Sequence, residues 1–183
     1  MTVLHVLRCM GFADLGRVAD AAGLAGADAE SELIDLAVDG LVVRNGGEFG
    51  GWGLTEAGRA EDARRTASEL AVSGARDAVD AAYRDFLVLN PELLDLCAAA
   101  LNDPANGRVL ERFDDLDRRA GAVCGELATV LPRFGRYRVR LGAALDRVRA
   151  GATEHLTSSM TSYHTVWFQL HEDLLATLGI PRT

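Results

Sequence analysis

The chain has 183 residues, 49% of them hydrophobic, and sets 27 acidic side chains against 19 basic ones for a net charge of −8. That length supports one compact domain or two small ones sharing a helical seam, and the acidic balance excludes broad, non-specific affinity for nucleic acid or anionic membrane. No apolar run approaches the roughly 20 residues that span a bilayer, and no charged-then-apolar signal peptide opens the chain, so a cytoplasmic protein without a membrane partner is expected.

Val3, Leu4, Val6, Leu7 and Met10 follow a helical period that Gly11 stops. Asp14 is placed to cap a short second helix, Leu15 to Ala22, ending at Gly23. After the turn Leu24-Ala25-Gly26, a third helix sets Leu33, Ile34, Ala37 and Val38 on a buried face and ends at Gly40. Leu41 to Arg44 is short and β-branched, Asn45-Gly46-Gly47 is a strong hairpin signal, and Trp52-Gly53-Leu54 makes the return strand. Thr55 then N-caps a long helix. Three helices, a small hairpin and an exit helix make an N-terminal winged helix-turn-helix over residues 1–73.

From residue 74 to 183 the pattern is all-α. Breaks at Asn90-Pro91, at 103–107, at Pro132 and at Gly151 mark out helices near 74–89, 91–101, 108–131, 134–150 and 160–178. No low-complexity linker intervenes, so the exit helix is expected to run from one half into the other. The fold class is therefore mainly α, a winged helix-turn-helix with a β-hairpin wing followed by a helical region.

The passage DGLVVRNGGEFGGWGLTEAGRAEDARR resembles the wing-to-helix segment of MarR-like and PadR-like regulators, with DGLV, LT and GR at matching spacing. The resemblance covers about the first 70 residues and implies a dimeric transcriptional regulator. Farther on, YRDFLVLNPELLDLC, LPRFGRYRVRLGAALDRVRAG and SYHTVWFQLHEDLLATLGIPR resemble a helical region that accompanies winged helices in GC-rich bacteria. Related segments occur with pyruvate phosphate dikinase-type enzymes. The first resemblance implies a homodimer assembled through C-terminal helices.

Charge pulls against the DNA reading. Residues 1–74 hold six arginines and twelve acids, a net of −6. The helix that would enter a groove carries Asp28, Glu30, Glu32, Asp35 and Asp39 and no cation, against a wall of phosphates. The candidate DNA contacts are Arg17, Ser31, Arg44, Arg59, Arg64 and Arg65. Base readout would fall to Ser31, Glu30 or Glu32, and carboxylates accept only from cytosine N4. The wing tip, Asn45 to Gly51, holds Glu48 and no arginine. The alternative is a winged-helix scaffold that has left DNA and serves as an enzyme or a protein-interaction partner, docking through its acidic helix.

Residues 133–149 concentrate Arg133, Arg136, Arg138, Arg140, Arg147 and Arg149 against the single acid Asp146. Such a cluster suits a carboxylate or phosphate ligand. The plainer expectation is that these arginines bridge to Asp114, Asp115, Asp117 and neighbouring acids. In the last helix, Tyr163, His164, Trp167, His171 and Glu172 offer apolar walls with polar anchors. Together with Arg136 and Arg140 they are the candidate site for a small acidic or aromatic effector. His164 and His171 are two turns apart, roughly 10.5 Å along the axis, and no compact zinc spacing occurs, so no metal or other cofactor is expected. No nucleophile elbow, phosphate loop or dinucleotide fingerprint appears. An enzyme would have to use His164, His171, Glu172 and Tyr163 in proton transfer; none is assigned a catalytic role. Cys9, Cys97 and Cys124 lie apart among apolar neighbours and read as buried free thiols.

Overall fold

The computed structural model describes residues 1–47, 50–104 and 106–181. It is mainly helical and divides into two compact units, residues 1–72 with 175–183 and residues 73–174. No helix among the described residues is long and apolar enough to cross a membrane.

In the first unit, α1 (Val3–Met10) is capped by Thr2, whose hydroxyl accepts from the His5 amide, and ends at Gly11. A strand that the sequence pattern did not reveal follows, β1 (Phe12–Ala13). Asp14 accepts from the Arg17 amide at 3.0 Å and starts α2 (Leu15–Ala22). Then come α3 (Gly26–Val38), β2 (Val42–Asn45), β3 (Gly51–Leu54) and α4 (Glu56–Ser73). The strands form one antiparallel sheet in the order β1-β3-β2, with Ala13 and Arg44 both opposite Trp52. Leu4, Leu7, Val18, Leu33, Leu36, Val42 and Trp52 close the core between helices and sheet. Glu48, expected at the tip of the hairpin, lies outside the described residues.

The expected buried face of α3 is corrected. Ala29, Leu33 and Leu36, spaced four and three, point into the core. Ile34 and Val38 are 51% and 83% exposed. A single residue step turns a helix by about 100°, so the stripe through Leu33 and Leu36 carries Ile34 and Val38 round to solvent.

Thr55 performs the capping its position suggested: its hydroxyl accepts from the Gly58 amide at 3.0 Å and donates to the Gly40 carbonyl at 2.8 Å. One residue type alone fits at Gly58. A Cβ there would stand 1.9 Å from the Leu41 carbonyl oxygen, so glycine is what lets α4 start against the turn before β2. The exit helix does not run on as expected. It stops at Ser73, and Gly74 takes a left-handed φ of 62° before the next helix, a conformation that ends helices at little steric cost for glycine.

The second unit comprises α5 (Arg76–Asn102), α6 (Gly107–Val130), a 3-10 turn at Pro132–Phe134, α7 (Gly135–Arg149), a second 3-10 turn at Thr153–His155, and most of α8 (Tyr163–Leu178). Asn90-Pro91 does not break α5, contrary to the sequence expectation. Phe86, Leu89, Leu93, Leu96 and Ala100 keep one face buried across the proline, while the Pro91 side itself is exposed. Burial on both sides of the ring outweighs one lost hydrogen bond. Asn106 caps α6 by accepting from the Arg108 amide at 3.0 Å.

Candidate functional site

The surface of α3 is the first candidate. Asp28, Glu30, Ser31, Ile34, Asp35, Val38 and Asp39 are all exposed, with no cation among them. Glu32 alone of the five acids has an internal task, accepting from the Val3 amide at 3.1 Å, where a carboxylate meets the positive end of α1. The result is an anionic helix face interrupted by two aliphatic side chains.

The arginines expected to meet phosphate are dispersed. Arg17 is half-buried on α2, and its Nε has no hydrogen-bond partner among the described residues. Arg44 is exposed on β2 with its guanidinium 5.8 Å from the centre of the Trp52 ring. Arg59 is exposed at the start of α4, within 3.5 Å of the Leu54 carbonyl. Arg64 and Arg65 both turn back on Glu61, at 2.8 Å and 2.6 Å. The two guanidiniums pull the Glu61 carboxyl down to about 2 through hydrogen bonds first and charge second. Ser31 is surrounded on its own face by carboxylates rather than by these cations.

Inside the same unit, His5 on α1 and Asp62 on α4 form a buried pair, Nδ1 to the two carboxylate oxygens at 3.0 and 3.1 Å, with Cys9 Sγ 3.7 Å from Nε2. Thiol, imidazole and carboxylate in that order resemble a nucleophile relay. Cys9 is 3% and Asp62 1% exposed, so the arrangement ties α1 to α4 and presents no reactive thiol. Sequence reading missed it because a histidine one turn from a cysteine looks like ordinary core, and nothing local points to Asp62.

The second candidate is the polar interior of the helical unit. Asp117 accepts two contacts from Arg138, both 2.7 Å, and one from the Tyr163 hydroxyl at 3.2 Å. Burial, and then the Asp117 charge, push the Tyr163 phenol well above its ordinary range. Asp173 accepts from Arg133 at 3.1 Å and from the Tyr137 hydroxyl at 3.0 Å. Arg140 donates to Gln169 at 2.6 Å, and Arg149 bridges Asp114 and Asp146. Bridging of the arginine run to acids is thus the prevailing pattern. Arg136 is half-buried and Arg147 exposed on the same helix.

The aromatic residues of α8 are packed into this core. Trp167 stacks on Phe86 at 4.5 Å and donates its indole N–H to Asn90 at 2.9 Å. His171 lies 5.0 Å from Phe86 and 6.1 Å from Tyr83, and Tyr163 meets Phe113 edge-on at 5.8 Å. His164 and Glu172 are half-buried. A groove of about 260 Å³ in this unit lies between α5 and α6, lined by Asp85, Val88, Leu89, Arg119, Ala122, Val123 and Glu126, and none of the expected effector residues borders it.

Cys9, Cys97 and Cys124 are buried and form no disulfide. Burial raises the Cys97 thiol to about 11 and the Cys124 thiol to about 12.

Comparison with family models, curated proteins and solved structures finds no match to this chain.

Proposed function

We propose that the chain is a homodimeric regulator built on a winged helix-turn-helix of the MarR and PadR kind over residues 1–73, with the helical residues 74–183 assembling the dimer. The observation that carries this reading is the order helix, strand, helix, helix, strand, strand, with the first strand hydrogen-bonded beside the third. That is the arrangement in which α3 is displayed beside a hairpin, and it supports a module that reads another macromolecule through those two elements.

A second reading concerns what is read, and the α3 face favours it. Four exposed carboxylates and no cation oppose a phosphate backbone, whereas Ile34 and Val38 between them suit a protein surface with basic residues around an apolar centre. In this reading the winged helix docks a cationic protein partner and leaves DNA alone. Support for a small acidic or aromatic effector is thinner, since Arg133, Arg138 and Arg149 meet acids and Arg140 meets Gln169, while Trp167 and Tyr163 pack against Phe86 and Phe113.

Titration against promoter DNA at low and moderate salt separates the readings. A saturable complex with a steep salt slope, weakened by Arg44→Ala and Arg59→Ala, establishes the DNA-binding regulator. No complex at low salt, together with salt-sensitive binding of a cationic polypeptide that is lost in Asp35→Arg, establishes the docking module.

A further inference from the structure

Joined by a short connection, α5 and α6 pack side by side in opposite directions, and the groove of about 260 Å³ runs between them. Arg119 fixes their register at one end, donating to Glu92 at 2.6 Å and standing 3.0 Å from Asp115. Seven residues make two helical turns, roughly 10.5 Å of axis, and return to the same face. Seven back from Glu92 on α5 stands Asp85, and seven on from Arg119 in α6 stands Glu126. Both line the groove, so its far end sets one carboxylate opposite another, with Val88, Leu89, Ala122 and Val123 between the two ends. Like charges at neighbouring helix positions repel. Among the described residues neither carboxylate makes a hydrogen bond or ion pair. Arg84, beside Asp85 in the chain, hydrogen-bonds to Asp80 and feels Asp85 only as a lesser charge, and Arg118 on α6 turns to Asp115 at 2.6 Å.

We propose that this groove binds a small organic cation, a protonated amine whose ammonium sits between Asp85 and Glu126 and whose apolar body lies along Val88, Leu89, Ala122 and Val123. The site is independent of what α3 reads and of the dimer proposed above. Charge selects the sign of the ligand: Arg119 is already met by two acids, so the unmatched charge among the lining residues is negative. The apolar stretch selects the body. A bare divalent cation takes six or more oxygens, which two carboxylates do not supply, and it would leave the aliphatic side chains in water. The volume selects the size, since it falls just below the roughly 300 Å³ at which ligand sites for drug-sized molecules begin. A straight six-carbon amine, about 8 Å from nitrogen to terminal carbon, spans the groove from the carboxylates toward the Glu92–Arg119 pair. An exposed ion pair alone contributes little, so charge and apolar contact must act together.

Calorimetric titration of the full chain with hexylammonium chloride tests this. One-to-one binding is expected, with a dissociation constant on the order of 1 mM or tighter for a ligand of seven non-hydrogen atoms. Binding should be weaker by about tenfold or more for hexan-1-ol, which lacks the charge, for methylammonium, which lacks the body, and for hexanoate, which reverses the sign. Asp85→Asn and Glu126→Gln, at exposed positions, should each weaken hexylammonium by about tenfold. Glu111→Gln, at an exposed acid of α6 outside the groove, should leave it unchanged. No saturable binding up to about 10 mM hexylammonium overturns the proposal. So does hexan-1-ol binding as tightly, magnesium displacing the amine at equal concentration, wild-type affinity in both Asp85→Asn and Glu126→Gln, or an equal loss in Glu111→Gln, which would make the attraction one of net charge alone.

Discussion

Asp173 is fully buried, and Arg133 opposite it has a side chain only 7% exposed. Removing one member of such a pair leaves a charge stranded in a medium that solvates it poorly. Asp173→Asn should therefore cost about 3–5 kcal/mol in urea unfolding, and a loss under 1 kcal/mol would mean water reaches Arg133. By contrast Arg64→Ala, at a solvent-facing ion pair, should be nearly silent. The thiols make a prediction in pH. Cys97 and Cys124 ionise at about 11 and 12 in the fold against 9.0 without it. The unfolded chain thus loses those protons first as pH rises, and stability present below about pH 9 declines from there toward pH 11 and 12. Cys97→Ser, Cys124→Ser should flatten that alkaline limb, which thermal unfolding across the range would read directly. The Arg133–Asp173 pairing was not legible locally. The arginine run at 133–149 pointed to acids at 114–117, and Arg138 and Arg149 do meet Asp117 and Asp114, but the roles of Asp173 and Gln169 depend on which face of α8 turns inward.

At the scale of elements, caps and stops were readable because their chemistry is local. Asp14 and Thr55 accept from amides three residues on, and Gly11, Gly23 and Gly40 adopt positive φ where a chain must leave a helix. Expectation failed where tertiary packing outvoted a local signal. Pro91 reads as a break, yet α5 continues because its buried face is unbroken; β1, two residues long, has no periodicity and exists because β3 offers it an edge. These failures predict opposite stability effects. Pro91→Ala restores an amide donor inside α5 and should stabilise the fold by up to about 3 kcal/mol. Gly58→Ala places a methyl against the Leu41 carbonyl in a contact that only backbone movement relieves, so it should cost about 3 kcal/mol. Chemical unfolding of the two variants checks both signs.

For the whole molecule, the contact proposed for α3 is electrostatic in origin and should weaken in salt. The α3 face is anionic, and any partner it holds by charge must lose affinity as the Debye length shrinks from about 10 Å at 0.1 M salt to about 3 Å at 1 M. Capture of a cationic polypeptide, measured across a salt series, should therefore give a binding constant that falls as salt rises. The same series bears on why the N-terminal half is the more acidic one. If α3 read DNA, its exposed carboxylates would repel the phosphates most strongly at low salt, so complex formation would rise as salt was added before counterion release reversed it. Monotonic loss of DNA binding from the lowest salt upward would instead show that Arg44 and Arg59 govern the approach.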